Sequence, residues 1–308
     1  MITSIKSSHI KNVNQLEKKK KARSAAQAFV SEGIRMVLET PIEMLRSLYI
    51  SENFYSDAEK RSEAEEYFSD VVGSLMKAQD AFRQLPSQDM VRMGSTEVYL
   101  VSDEVMGRMA DTEHPQGILA VTSMPKYSFE DLLYGSCHGE MKNFDSKDTA
   151  EETTPLLLIP EDVQDPGNLG TMFRTAEGAG VTGIILSPGC ADPFQPKVVR
   201  STMGSLFRMP FYQVESMEDW HPTLEKLQAE GISLYAAWLD GSVPYDEPVY
   251  ISPSGFLIGN EGNGLKKETA ELADQRIRIP MGGQLESLNA AMSAGILMYE
   301  ANRQRRNQ

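Results

Sequence analysis

Three segments in the second half of the chain place polar residues and glycines directly after short apolar runs. The first is 161–181, in which Pro166, Gly167 and Asn168 form a turn and Arg174 lies one turn into the helix that follows. A helix N-terminus offers unpaired N–H groups to an anion, and an arginine is a planar fork suited to phosphate. The segment therefore predicts a phosphate site; the plain alternative is a turn and a helix with a surface arginine.

The second segment, 255–265, holds four glycines and Glu261 within eleven residues. Glycine at this density after a strand indicates backbone that approaches a ligand closely, and the plain alternative is a glycine-rich turn. The spacing is neither the G-x-G-x-x-G dinucleotide fingerprint nor a phosphate-binding loop that ends in Gly-Lys-Ser/Thr. A nicotinamide-dependent oxidoreductase is therefore disfavoured.

The third segment, 276–301, ends a strand at Pro280 and continues through two glycines to a predicted helix start at 286. Ser287 and Asn289 are polar residues at the mouth of this otherwise apolar helix. Helix capping explains one of them, but it does not easily explain both together with the two glycines. We therefore treat Ser287 and Asn289 as candidate site residues.

Alternating strands and helices are expected to position these segments. This alternation predicts an α/β domain with a parallel sheet and helices on both faces, and ligands in such folds lie at the carboxyl ends of the strands. The predicted strands are 156–160, 183–187, 232–238, 254–259 and 276–280; the predicted helices are 170–180, 196–206, 218–229, 265–273 and 286–302. In the last helix an apolar stripe predicts a packing face against the sheet or a second subunit. Its members are Leu288, Met292, Gly295 and Tyr299.

The first 125 residues predict a smaller α/β domain, and 126–154 predicts an acidic linker or insertion before the domain at 155–308. Short β-branched runs at 98–102 and 117–123 predict strands, and helical patterns lie around 57–83. A basic run opens this first domain. It consists of Lys18, Lys19, Lys20, Lys21 and Arg23.

The charge of the 308-residue chain is unevenly distributed. The net charge is −14, yet residues 1–50 carry a net of +5 while 51–160 carry −12 and 161–308 carry −7. An acidic protein repels nucleic acid at long range, so a nucleic-acid partner requires a local basic patch. The first fifty residues supply the only obvious one, and a solvated helix face is the alternative interpretation.

Composition excludes several classes of protein. With 41% hydrophobic and 24% charged residues, the chain is neither largely disordered nor collagen-like nor a coiled coil. It contains no apolar run of the roughly 18 residues that a membrane span needs and no secretory signal, so we expect no membrane contact. Two cysteines without a Cys-x-x-Cys pair argue against disulfides and predict a reducing, cytoplasmic location. The histidines lack metal-ligand spacing, so no metal is predicted.

The order and spacing of the three segments together resemble motifs 1, 2 and 3 of the SpoU (TrmH) branch of the SPOUT RNA methyltransferases. The matching residues are Asn168, Gly170, Arg174 and Thr175 in motif 1; Gly259, Glu261, Gly262 and Gly264 in motif 2; and Ile279, Pro280, Met281, Ser287, Leu288 and Asn289 in motif 3. This resemblance spans about 155–308. A weaker one over 1–124 is to the substrate-binding domain, itself similar to a small RNA-binding ribosomal protein, that often precedes SpoU domains.

The resemblance implies transfer of a methyl group from S-adenosylmethionine to a ribose 2′-hydroxyl of RNA. It also implies a C-terminal α/β domain tied in a deep trefoil knot and a homodimer that shares its active site, so that Arg174 works against the partner's cofactor. The implied catalytic residues are Arg174, Asn168, Glu261, Ser287 and Asn289. The implied cofactor contacts are Gly259, Ile279, Leu288, Leu257, Ile258 and Met281. RNA contacts are expected from Lys18, Lys19, Lys20, Lys21, Arg23 and Arg200.

The role of Arg174 has two interpretations, because a guanidinium is too weak an acid to serve readily as a proton acceptor. It loses a proton transiently with help from a substrate phosphate, or it stays charged, grips the phosphate and orients the 2′-oxygen while Glu261 or water takes the proton. The substrate is expected to be ribosomal RNA of the large subunit (23S). Transfer RNA is the alternative, and a non-catalytic RNA- or ribosome-binding protein that keeps the fold is the alternative of another class.

Overall fold

A computed structural model describes residues 1–57, 71, 77–78, 82, 89–134, 154–285 and 287–307. Within them the chain divides into two compact units. Unit 1 comprises Met1–Lys126 together with Asp192–Phe207, and unit 2 comprises Tyr127–Ala191 together with Arg208–Gln308. Most of the predicted insertion at 126–154, Cys137 within it, and most of the helical pattern around 57–83 lie outside the described residues.

Unit 1 is built on a five-stranded mixed sheet in the order β1-β5-β2-β4-β3. The strands are β1 (Ala28–Glu32), β2 (Leu45–Ser51), β3 (Met90–Met93), β4 (Thr96–Val101) and β5 (Ile118–Ser123). The helices of its N-terminal part are α1 (Ser8–Lys18), α2 (Lys20–Ala26), α3 (Ile34–Leu38), α4 (Glu52–Ser56) and α5 (Asp103–Met109). Both predicted strands, β4 and β5, are confirmed to within two residues; the other three were not predicted. One core cluster gathers residues of α3 and α4, and the other gathers those of α1 and α5.

Asp192–Phe207 completes unit 1 from a distant part of the sequence. It contains α8 (Pro196–Thr202), which packs on β1. The ring of Phe29 on β1 lies 5.1 Å from that of Phe194 and 6.0 Å from that of Phe207. The segment is therefore held to unit 1 by an aromatic contact as well as by backbone packing.

Unit 2 is a seven-stranded, all-parallel sheet in the order β10-β12-β9-β11-β6-β7-β8. The strands are β6 (Leu156–Pro160), β7 (Gly183–Leu186), β8 (Phe211–Gln213), β9 (Ser233–Ala237), β10 (Val243–Pro244), β11 (Ser254–Ile258) and β12 (Gln275–Arg278). The five predicted strands and the parallel α/β architecture are confirmed. β8 and β10 are too short to leave a pattern of their own, and they were missed.

The helices of unit 2 are α6 (Phe129–Tyr134), α7 (Pro166–Gly178), α9 (Met217–Ala229), α10 (Lys267–Leu272) and α11 (Ala290–Arg306). Two predicted helix starts were wrong. α7 begins four residues before the predicted 170, because Asp165 caps it and Pro166 occupies its first turn. α11 begins at Ala290 rather than 286, because the side chain of Asn289 caps the N–H groups of Ala291 and Met292.

The described residues contain no helix long and apolar enough to cross a membrane, and no group of three or more candidate ligands for a metal ion. Cys190 is free and buried, and burial raises the pKa of its thiol to about 11, so the thiol stays protonated at neutral pH.

Candidate active site

Polar side chains from all three motifs meet at one edge of the unit 2 sheet. Asn168 lies in the first turn of α7, directly after the loop that leaves β6. Its Nδ2 donates to Oε1 of Glu261 over 2.5 Å, and its Oδ1 accepts from Nδ2 of Asn289 at 2.9 Å. The three side chains thus form a continuous chain of hydrogen bonds, as the shared strand edge predicts.

This chain fixes the direction of the Asn168 amide. A carboxylate only accepts hydrogen bonds, so the nitrogen of Asn168 faces Glu261 and its oxygen faces Asn289. The oxygen of Asn289 is itself occupied by the two N–H groups that it caps. In the side-chain amides of Asn168 and Asn289, each oxygen and each nitrogen therefore has a defined partner.

Arg174 and Ser287 are not part of this hydrogen-bonded chain. Both side chains are exposed, and neither forms a hydrogen bond or ion pair with another described residue. Ser287 lines the cavity described below, next to Leu288. Arg174 lies farther along α7, where its guanidinium faces solvent.

A cavity of about 340 Å³ opens at the carboxyl ends of β9, β11 and β12. Its walls include five of the six predicted cofactor contacts, namely Ile258, Gly259, Ile279, Met281 and Leu288. The sixth, Leu257, is fully buried in the core and does not line the cavity. Side chains alternate between the two faces of a strand, so Leu257 in β11 packs into the core between its neighbours.

Trp238, Leu239 and Asp240 also line the cavity, and sequence analysis missed them. They follow β9 directly, so the rule that ligand sites lie at the carboxyl ends of strands could have found them. Asp240 is exposed and forms no hydrogen bond or ion pair with another described residue. Together with Glu261 it gives the cavity an acidic rim.

Gly259 is required by the loop itself. A Cβ at this position would overlap the backbone between Gly264 and Leu265, which folds back over the start of the loop. The backbone of Asn260 pairs with that of Gly264 in both directions, at 3.1 and 2.9 Å. Closure of the loop is thus a second reason for glycine at this position, beside the expected close approach to a ligand.

The cavity fits S-adenosylmethionine in its chemistry. Ile258, Ile279 and Leu288 offer an apolar wall to an adenine ring, and the two carboxylates at the rim complement a sulfonium cation. Among the described residues of the wall the arginine is Arg278, which donates to the backbone carbonyl of Ser242 and so is directed away from a ligand. These residues would hold the cofactor mainly through apolar contact and main-chain groups.

The predicted stripe on the last helix is largely exposed. Leu288 is 36% exposed, Met292 60% and Tyr299 49%, whereas Gly295 faces Thr175 of α7. Leu288 precedes α11, which begins at Ala290, and it lines the cavity, so its predicted place on the helix was wrong. Met292 and Tyr299 are exposed members of the stripe, and their contact with a second subunit stays a prediction.

The predicted RNA-binding residues fall into two groups. Lys18, Lys19, Lys20 and Lys21 are exposed at the junction of α1 and α2. Arg23 is only 4% exposed; it forms an ion pair with Asp192 and donates to the carbonyls of Leu16 and Glu17. Its guanidinium is therefore turned into unit 1.

Arg200 of α8 is likewise engaged within unit 1. Its guanidinium lies 2.8 Å from a carboxylate oxygen of Asp111 and 3.7 Å from one of Glu32. Arg23 and Arg200 were predicted as RNA contacts, but here they fasten Asp192–Phe207 to the rest of the unit.

Comparison with known proteins shows the family of the chain. Residues 155–299 match the SpoU rRNA Methylase family, and residues 7–120 match the MRM3-like substrate binding domain. An uncharacterized tRNA/rRNA methyltransferase of Synechocystis sp. is 37% identical over 70% of this chain and 71% of its own length. The 23S rRNA (guanosine(2553)-2′-O)-methyltransferase RlmP of Bacillus subtilis is 32% identical over 74% of this chain and 84% of its own.

Solved structures give the same result. The AdoMet-bound rRNA methyltransferase from Sinorhizobium meliloti superposes with a TM-score of 0.70 at 28% identity, covering 98% of this chain and 97% of its own. The matched families, the shared fold and the hydrogen bonds that join polar side chains of all three motifs lead to one assignment. The chain belongs to the SpoU rRNA methylase family, whose members are S-adenosylmethionine-dependent RNA 2′-O-ribose methyltransferases.

Proposed function

We propose that this protein methylates a ribose 2′-hydroxyl of 23S ribosomal RNA, with S-adenosylmethionine as the methyl donor. The observation that carries the proposal is the hydrogen-bonded chain Asn289–Asn168–Glu261 at the rim of the apolar cavity. Relatives named as 23S rRNA 2′-O-methyltransferases support the choice of ribosomal over transfer RNA. Because bacterial ribosomal RNA is made in the cytoplasm, the proposal includes a cytoplasmic location.

When bound, S-adenosylmethionine supplies an electrophilic methyl group. The chain must then supply orientation and a proton acceptor for a sugar hydroxyl, which is a poor nucleophile at neutral pH. Glu261 is exposed at the rim and is steadied by Asn168, so its free oxygen is available to take the proton directly or through water. Asn289 holds Asn168 in the required orientation.

Arg174 stays charged in this proposal and grips a phosphate of the RNA. It has no partner among the described residues, so both edges of its guanidinium are available for a bidentate contact. Such a contact would hold the ribose in line. The alternative, in which Arg174 transiently loses its proton, requires the phosphate as well and predicts a different outcome for a lysine replacement.

A homodimer completes the proposal. Arg174 forms no hydrogen bond with the Asn168–Glu261–Asn289 chain of its own subunit, which supports a role beside the cavity of a second copy. The exposed Met292 and Tyr299 of α11 would form the contact between the two copies.

The RNA is expected to contact a basic groove along α1 in unit 1. This groove of about 430 Å³ is lined by Lys6, Lys11, Asn14, Gln15, Lys18 and Lys19. Glu17 is the only acidic residue among the first 27, and burial raises the pKa of its carboxyl to about 8. It is therefore mostly uncharged at neutral pH, and the described lining of the groove includes four lysines and no acidic residue.

The experiment that tests the function measures transfer of labelled methyl from S-adenosylmethionine to total RNA. The RNA comes from cells that lack this protein, and Arg174→Ala is the control. Label in 2′-O-methylated nucleosides of the ribosomal fraction, lost in the variant, is the expected result. Label confined to transfer RNA would overturn the choice of substrate, and absence of both label and cofactor binding would overturn the enzymatic function.

A further inference from the structure

The loop that leaves β6 contains a residue in a costly backbone conformation. Asp162 has φ +54°, which is the left-handed region that glycine adopts freely and other residues rarely do. Such an outlier persists where surrounding contacts hold it in place. Asp162 lies between the strand and the first helix of the candidate site, so its contacts bear on that site.

The aspartate at this position makes contacts that a glycine could not. Its Oδ1 accepts from the hydroxyl of Ser187 at 2.9 Å, and its Oδ2 lies 2.7 Å from Nζ of Lys266. Its backbone N–H donates to the same hydroxyl at 2.8 Å. Aspartate is thus disfavoured by the φ angle at this position, yet both of its carboxylate oxygens have partners.

The carbonyl of Asp162 reaches the glycine-rich loop. It accepts from Nδ2 of Asn260 at 2.7 Å. The oxygen of the same Asn260 side chain accepts from the N–H groups of Gly262 at 2.8 Å and Asn263 at 3.2 Å. The side chain of Asn260 therefore ties Asp162 to both sides of Glu261.

These contacts hold the loop at both ends, since Asn260 stands at its start and Lys266 directly after its end. We propose that Asp162 is a positioning residue for methyl transfer: by holding Asn260 and Lys266, it sets the loop at which Glu261 meets Asn168 and whose backbone borders the cavity. It touches neither cofactor nor RNA and acts only through this loop. The inference rests on the proposed function, because it concerns the same site.

A separate set of contacts anchors the start of α10 independently of the Asp162 side chain. The neighbouring Glu161 is fully buried and accepts from Lys266 N at 2.7 Å, from the Thr269 hydroxyl at 2.6 Å and from Trp220 Nε1 at 2.9 Å. Glu161 thus anchors the start of α10 and the core. We therefore expect the domain to stay folded when Asp162 is changed and the loop is loosened.

The test is Asp162→Gly, which allows the same dihedral and removes both carboxylate contacts. We expect an unchanged or higher melting temperature, a fall in kcat of about tenfold or more, and weaker S-adenosylmethionine binding in calorimetry. Asp162→Asn keeps an acceptor for Ser187 and should restore part of the rate. Lys267→Ala, at an exposed ion pair on the adjacent residue, is the matched control and should leave all three values unchanged.

Two further variants separate positioning from general stability. Gly189→Ala would place a Cβ against the Asp162 carboxylate and should reproduce the loss without altering Asp162. Asn260→Ala and Asp162→Gly act through one loop, so their combined effect on kcat should be clearly less than the product of the single effects. Wild-type kcat and cofactor affinity in Asp162→Gly, or fully multiplicative effects, would overturn the inference while the proposed function stands. If the wild type transfers no methyl group, the proposed function fails, and the calorimetric comparison still decides whether Asp162 sets the cavity.

Discussion

Asn289 and Asn168, which lie 121 residues apart in the chain, share a hydrogen bond of 2.9 Å from Nδ2 to Oδ1. This contact joins the N-cap of α11 to the first turn of α7, and Asn168 makes a second hydrogen bond to Glu261. Asn168 is thus a donor toward the carboxylate and an acceptor toward Asn289, a combination that only an amide side chain provides here.

Asn168→Asp should therefore be more damaging than its small change in shape implies. It places a second carboxylate 2.5 Å from the oxygen of Glu261 and removes the donor between them. We expect methyl transfer to fall roughly 100-fold at saturating cofactor. Single-turnover rates measure this effect, with Asn168→Ala as the comparison; an aspartate variant that is faster than the alanine variant would contradict the role of the donor.

Arg174→Lys distinguishes the two roles of the arginine. If a bidentate grip on phosphate orients the ribose, lysine keeps the charge but loses the fork, and kcat should fall by about tenfold or more with less effect on RNA affinity. Both quantities come from steady-state methyl transfer at varied RNA concentration. A lysine variant that keeps most of the wild-type rate would rule out the bidentate grip.

Met292→Glu tests the second subunit. The side chain is 60% exposed on the apolar stripe of α11, and a carboxylate there should prevent burial against another copy. Sedimentation equilibrium is expected to show a dimer for the wild type and a monomer for the variant, with methyl transfer lost in the monomer. Val249→Glu, at a valine that is 61% exposed outside the stripe, is the matched control and should remain a dimer.

Glu17→Gln should make stability less dependent on pH. Burial, followed by the charges of Glu32 and Asp111, raises the pKa of Glu17 from 4.5 to about 8 in the folded chain. Between these values the folded chain binds a proton that the unfolded chain has released, so stability falls as the pH rises and the loss is complete above about 8.

The amide of glutamine resembles the protonated carboxyl, and it does not ionise, so the variant does not lose stability as the pH rises. The variant should be more stable than the wild type at pH 8.5 by roughly 1–3 kcal/mol and should match it near pH 4, below the pKa of the unfolded carboxyl. Urea unfolding at the two pH values measures the difference. An equal stabilisation at both would show that the effect does not arise from the ionisation of Glu17.

Lys11→Ala and Lys18→Ala test the basic groove. If each lysine contacts a phosphate, each substitution should lower the slope of log affinity against log salt concentration by about 0.7 to 0.9 and leave cofactor binding unchanged. Filter binding with a ribosomal RNA transcript at several salt concentrations gives the slope. Lys267→Ala in unit 2 is the control, and an equal change there would show that the effect is not specific to the groove.

The parts of the site that sequence reasoning predicted follow from one geometric rule. The carboxyl ends of parallel strands share an edge, so segments after β6, β11 and β12 had to converge, and Asn168, Glu261 and Asn289 do converge there. The predicted start of α7 was wrong although Asp165 and Pro166 are typical of a helix start, because Pro166, Gly167 and Asn168 were assigned to a turn.

The ion-pair partners of Arg23 and Arg200 could not be predicted from the sequence. Arg23 follows four exposed lysines in the sequence, and nothing local distinguishes it from them. Its burial depends on Asp192, which is 169 positions away and enters unit 1 only through the fold. The same holds for Arg200, whose partner Asp111 is 89 positions away.

The membership of Asp192–Phe207 in unit 1 bears on how such enzymes are inherited. The stretch that matches the methylase family begins at 155 and ends at 299, yet sixteen of its residues complete the core of the preceding unit through Phe194, Phe207 and the ion pairs of Asp192 and Arg200. A gene fusion that joined this stretch to an unrelated N-terminal domain would leave Phe194 and Phe207 without the ring of Phe29. It would also leave Arg200 without the carboxylates of Asp111 and Glu32. We therefore expect an exchange of the preceding domain to need compensating changes within Asp192–Phe207.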